Sequence, residues 1–155
     1  MNKEHKFSID VEWKGDLGTG TSEYTAYSRD HIISSSNKIT KVEGSSAPEF
    51  RGDPSKYNPE ELFISSLSSC HMLWYLHFCA DAGIIIKEYI DYATGTMPVD
   101  KNGLGQFSSV TLNPKIKITD LSQKELALSL HKKAHEYCFI ARSVNFEVNC
   151  YPEVY

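Results

Sequence analysis

The stretch NPEELFISSLSSCHMLWYLHFCADAG, residues 58–83, decides how the rest of the chain is read. It opens with a complete set of helix-start signals. Asn58 suits the N-cap, Pro59 the first helical position and Glu61 the reach back to the cap, while Glu60 complements the positive end of the helix dipole. Gly83 is a natural C-terminal stop. Phe63, Leu67, Cys70 and Trp74 recur at helical spacing, as do Leu62, Leu73 and Leu76, so apolar groups cover most of the circumference. This predicts a long helix buried on nearly all sides. Its oddity is the run of Ser65, Ser66, Ser68 and Ser69, poor helix formers placed just before Cys70. Small side chains there would let another backbone approach and leave room beside the thiol.

Working outward, Phe7, Ile9, Val11 and Trp13 alternate with polar residues and predict a half-buried strand, followed by the turn KGDLGTGT. Shorter alternations over residues 23–42 complete a β-meander, and residues 43–57 form an irregular connection. C-terminal to the helix, residues 86–97 and 107–118 read as two longer strands joined by the turn PVDKNGLG. Ser122 and Glu125 form a capping-box pair that predicts a second helix through about Phe139, and Val144, Phe146, Val148 and Cys150 alternate as a last strand. The order strands, helix, strands, helix, strand is an α+β pattern, expected to form one domain over residues 1–155.

Composition narrows the function classes. The 155 residues are 41% apolar and 23% charged, with no low-complexity tract. A net charge of −4 and the absence of any basic run longer than Lys132-Lys133 argue against nucleic-acid binding. The polar N-terminal residues lead into no apolar leader segment, and the longest apolar run, residues 72–80, is interrupted by His77 and far short of a bilayer span. A cytoplasmic protein that does not enter the membrane is expected. Cys70, Cys79, Cys138 and Cys150 fall in no CxxC pair and no disulfide framework. Each is a small buried hydrophobe or a reactive thiol, and a reactive thiol needs a cation or a helix N-terminus to hold its charge. Cys70 lies about three turns into its helix, too far for the dipole to help. His71, one residue on, points about 100° away, so Arg29 and Arg51 are the candidate cations.

Two motifs make the chemistry specific. NPEELFISSLSSCH, residues 58–71, resembles the N-P-E-[EQ]-L…C motif of the OsmC/Ohr family, the osmotically induced and organic-hydroperoxide-resistance proteins, and AHEYCFIARSVNFEV, residues 134–148, resembles its second-cysteine region. The resemblance implies an OsmC/Ohr-like fold, with antiparallel sheets around two long helices in an intertwined homodimer. It also implies a thiol-dependent peroxidase that reduces organic hydroperoxides in oxidative-stress defence, without a bound cofactor and with an external dithiol or thiol as reductant. By the same resemblance Cys70 matches the peroxidatic cysteine, Cys138 the resolving one, Glu60 the motif glutamate and Arg29 the arginine that pairs with it. An unbroken helix separates Glu60 from Cys70 by about 15 Å along its axis. The glutamate serving Cys70 is therefore expected to come from the other subunit. The chain departs from its best-known relatives at His71, where an apolar residue is common, and in the sequence Cys138-Phe139-Ile140-Ala141-Arg142-Ser143.

Two other readings use the same residues. His131, His135 and Cys138 stand at i, i+4 and i+7, spacing that a zinc or copper ion could use with Cys70 or a carboxylate as fourth ligand. Trp74, Phe63, Phe78 and Phe139 could line a pocket for an apolar ligand in a member without peroxidase turnover. Cys79 and Cys150 are assigned to packing.

Overall fold

A computed structural model describes residues 4–155, which divide into two compact units, one ending at Leu62 and the other beginning at Phe63. The N-terminal polar segment read above begins with three residues that lie outside the described ones.

The first unit holds the expected meander. β1 (Asp10–Trp13), β2 (His31–Ser34) and β3 (Val42–Gly44) form an antiparallel sheet in that order, with Val11 opposite Ile33 and Ile33 opposite Val42. The turn after β1 is built on Asp16, whose carboxylate accepts from the N–H groups of Gly18 and Gly20 at 2.8 and 2.9 Å. Both glycines have positive φ, 109° and 57°, which a side chain would oppose. The half-buried strand expected from the alternation is not half-buried in the single chain: all four residues of β1 are exposed, and Ile9 and Val11 each retain 64% exposure.

Helix α1 (Pro59–Asp81) starts and stops as its sequence dictates. Glu61 N–H donates to Asn58 Oδ1 at 2.8 Å, and Asn58 N–H donates back to Glu61 Oε2 at 3.1 Å, a complete capping box. At the far end Ile84 N–H donates to Cys79 O and Gly83 N–H to Ala80 O, with Gly83 at φ 71°, the Schellman arrangement. The buried residues Leu67, His71, Tyr75, Phe78 and Cys79 lie along one stripe. The expectation of burial all round is thus corrected for the single chain, where Leu73 stays 62% exposed.

In the second unit, each of the two long predicted strands is broken once. β4 (Ile86–Asp91) pairs antiparallel with β7 (Pro114–Ile118), and β5 (Thr94–Thr96) with β6 (Ser109–Leu112). The break has a local cause: the Asp91 carboxylate accepts from Asn113 N–H at 2.7 Å, Asn113 Nδ2 donates to Tyr92 O, and Pro114 has no N–H to offer a ladder. β8 (Glu147–Cys150) and β9 (Glu153–Val154) then add in parallel to β6 and β7. The resulting sheets, β4-β7-β9 and β5-β6-β8, each have three strands.

Helix α2 (Lys124–Tyr137) begins differently from expectation. Asp120, not Ser122, is the cap: its carboxylate accepts from Ser122 N–H at 2.9 Å and from Ser122 Oγ at 2.7 Å, starting a 3-10 turn that leads into α2. A carboxylate two residues upstream outcompetes the serine, whose hydroxyl it recruits. The helix stops at Tyr137, which leaves Cys138 in extended backbone at the C-cap. One core cluster joins Tyr75, Phe78 and Cys79 of α1 to Ala127 and Ala134 of α2 and to Ile116, Ile118 and Val154. A second joins Leu67 to Val110 and Leu112, with Phe63, Phe107 and Phe146 against it.

Candidate functional site

Cys70 and Cys138, 68 positions apart in the chain, meet in the second unit. Cys70 projects from α1 and is half-buried, whereas Cys138, in the cap of α2, is 1% exposed. The Cys138 thiol is pushed up to about 11, first by burial and then by its contact with Cys70, against the opposing effect of backbone N–H groups. One of these is Ala141 N–H, 3.4 Å from Cys138 Sγ, offered by the 3-10 turn Ala141–Ser143. Cys138 therefore rests as a thiol with a donor already aimed at its sulfur.

Beside Cys70 lies a cavity of about 410 Å³ lined by Cys70, Leu73, Trp74, His77 and Phe139. Its wall is aromatic: the Trp74 ring packs against Phe78 at 5.5 Å between centroids, Tyr137 at 5.3 Å and the edge of Phe139 at 5.5 Å. Of the aromatic residues considered for a ligand pocket, Trp74 and Phe139 line this cavity. Phe78 is core, and Phe63 packs with Phe107 and Phe146.

Arg29 and Glu60 belong to the first unit. The Arg29 guanidinium lies over the rings of Tyr24 and Tyr27, 4.3 and 4.2 Å from their centroids, and donates to Tyr24 O at 2.7 Å and Tyr27 O at 2.6 Å. Among the described residues neither Arg29 nor Glu60 makes an ion pair. The neighbouring Asp30 instead pairs with Lys56 at 2.7 Å. Arg51, the other candidate, is exposed at the end of the turn Pro48–Phe50. α1 is helical at every position between Glu60 and Cys70.

Two of the four serines ahead of Cys70, Ser66 and Ser69, are tied back to the helix backbone. Ser66 Oγ donates to Phe63 O at 2.7 Å, and Ser69 Oγ to Ser66 O at 3.3 Å. Ser68 Oγ donates across to Asp91 at 2.5 Å.

The imidazole of His71 occupies a place that the sequence reading did not anticipate. Its Nε2 is 3.0 Å from His131 Nδ1, and Cys150 Sγ lies 3.7 Å from His71 Nε2 and 3.9 Å from His131 Nδ1. His71 is 1% and His131 4% exposed, and burial lowers both, to about 4 and about 3 respectively. His131 thus turns toward His71 and Cys150, not toward a set with His135 and Cys138. Among the described residues this is the one group with metal-ligand spacing. Cys150, assigned to packing, belongs to it. The available signals were His71, a polar residue on the apolar stripe of α1, and the apolar alternation that carries Cys150 on β8.

The comparisons with known proteins agree with this architecture. The family profile described as OsmC-like protein matches residues 52–153. An OsmC-like protein of unknown function from Vibrio cholerae is 30% identical, with 96% of this chain and 99% of that one covered at a TM-score of 0.82. An OsmC-like protein from Mycoplasma pneumoniae, 12% identical over 98% and 99% of the two chains, superposes at 0.72. An organic hydroperoxide resistance protein from Elizabethkingia anophelis, 20% identical over 98% of each chain, superposes at 0.66 and shares the fold. No curated protein matches the sequence.

Proposed function

The chain belongs to the OsmC-like family, and from that membership and the pairing of Cys70 with Cys138 we propose that it is a thiol-dependent peroxidase reducing organic hydroperoxides. The observation that carries the reading is the meeting of these two thiols at the edge of an aromatic cavity. The cavity suits the organic part of a hydroperoxide.

In this mechanism Cys70, as thiolate, attacks the distal peroxide oxygen. The O–O bond breaks, the alkoxide leaves as an alcohol after taking up a proton, and Cys70 becomes a sulfenic acid. Cys138 sulfur then attacks the Cys70 sulfur as its own proton departs. A disulfide forms and the sulfenic oxygen leaves as water. The Ala141 N–H directed at Cys138 Sγ stabilises the negative charge that develops there. An external dithiol or thiol supplies the two electrons that restore both cysteines, so the cycle requires no bound cofactor.

Arg29 is assigned the stabilisation of the thiolate and the departing alkoxide, and Glu60 the holding of Arg29. A homodimer brings Glu60 of a second copy to Cys70. Two features support that assembly: the unbroken α1, and the exposed apolar side chains of Ile9, Val11 and Leu73, which a second copy would cover. No helix among the described residues is long and apolar enough to cross a membrane. The test is cumene hydroperoxide consumption with a dithiol. The wild type should turn over and Cys70→Ser should fall to the uncatalysed rate; equal rates would refute the assignment.

A further inference from the structure

We propose that His71, His131 and Cys150 form a buried binding site for a thiophilic d10 metal ion, Cu⁺ or Zn²⁺, separate from the Cys70–Cys138 pair. The three potential ligand atoms lie within 4.8 Å of one another. In a site with metal–nitrogen bonds of about 2.0 Å and a metal–sulfur bond of about 2.3 Å, ligand atoms stand about 3.5–3.7 Å apart for N···S and about 3.3–3.5 Å for N···N. The observed N···S separations are 3.7 and 3.9 Å, and the N···N separation is 3.0 Å. The observed separations lie within a few tenths of an ångström of these values, and turning the two rings would aim both lone pairs at one ion.

Three further observations point the same way. The two histidines sit on the buried stripes of α1 and α2, where an apolar residue would serve packing better. Two imidazoles there are costly unless their nitrogens are used. Their outer nitrogens, His71 Nδ1 and His131 Nε2, have no hydrogen-bond partner, so neither ring is anchored in a wider hydrogen-bond network. Finally, the rings are held in place, with His131 stacked on Tyr75 at 3.9 Å between centroids. A ligand set fixed by packing loses little entropy on binding. Half-buried Cys150 is the side from which an ion gains access.

The proton balance is simple. The metal–sulfur bond replaces the S–H bond of Cys150, which releases one proton. The N–H shared between the imidazoles moves to an outer nitrogen, so that both facing nitrogens present lone pairs. With neutral imidazoles and one thiolate the Cu⁺ complex carries no net charge, and three-coordination suits that ion. The nearby Asp91 carboxylate supplies the second negative charge that Zn²⁺ would need.

The test uses the full chain carrying Cys70→Ser and Cys138→Ser, so that the other thiol pair cannot bind. Anaerobic titration with Cu⁺ against a chromogenic chelator, and separately with Zn²⁺, should show one equivalent bound for at least one ion. X-ray absorption should report one sulfur and two nitrogens, and bound metal should raise the unfolding temperature. Adding Cys150→Ser should weaken binding by about 100-fold or more, since even outer-shell changes cost 10–100-fold, and should abolish the thermal shift. If that variant fails to fold, the absorption spectrum of the double variant decides alone. No stoichiometric binding of either ion, a coordination shell without sulfur, or unchanged affinity after Cys150→Ser in a folded protein would overturn the proposal.

Discussion

Cys70 and His71 are adjacent on α1 yet serve different places. The backbone turns about 100° between them, so Cys70 meets Cys138 beside an open aromatic cavity while His71 meets His131 and Cys150 inside the core. Their partners on the α2 side, His131 and Cys138, are seven residues apart, two helical turns along one stripe. Two helices, with β8 supplying Cys150, therefore build two thiol-containing groups. One is half-buried and reachable by an organic molecule. The other sets two buried imidazoles against a half-buried thiol.

The sharpest way to break this contrast is to remove the resolving thiol. Cys138→Ser should still consume one equivalent of hydroperoxide per chain in a single turnover, but steady-state turnover with a dithiol should fall by on the order of 100-fold, since the sulfenic acid has no internal partner. If turnover is retained, Cys138 does not act at Cys70.

A smaller effect follows from the raised Cys138 thiol. A thiol whose folded-state value lies above its ordinary one favours the fold while protonated. Its contribution is full below pH 9 and is lost as pH rises through about 11. Wild-type stability should drop by about 2 kcal/mol more than that of Cys138→Ser across this window, measured by denaturant titration at each pH. Parallel curves would mean that Cys138 is not desolvated.

Phe139→Ala, which removes one wall of the cavity, should raise the KM for cumene hydroperoxide roughly 3–10-fold and leave the KM for a small hydroperoxide nearly unchanged. An equal change for both substrates would place the organic group elsewhere. The smallest effect is expected at Asn58→Ala. Loss of the cap should cost about 1 kcal/mol of stability, read from the denaturant midpoint.

How much of this was legible in the sequence depended on the range over which each feature is determined. The cap of α1 and its stop at Gly83 are local, and Asn58, Glu61 and Gly83 do what their types suggest. The start of α2 is local too, yet Ser122 proved to be recruited by Asp120, a competition between two good caps that spacing alone does not rank. The breaks in the two long strands come from Asp91 reaching Asn113, a contact between residues 22 apart. The Cys70–Cys138 pair was reached through family resemblance, since spacing does not join two cysteines across so long a separation. The His71–His131–Cys150 group was not legible: its members come from α1, α2 and β8, and only the packing of those elements brings them together. The alternation that carries Cys150 on β8 looks the same whether its sulfur packs or ligates.

Under the proposed mechanism Cys70 and Cys138 form one redox unit. Reduced protein treated with one equivalent of cumene hydroperoxide, trapped with an alkylating agent and mapped by non-reducing peptide mass spectrometry should yield a Cys70–Cys138 disulfide, with Cys79 and Cys150 alkylated after unfolding. Recovery of Cys70 as a sulfinic acid with Cys138 still a free thiol, or of a disulfide that includes Cys150, would contradict it.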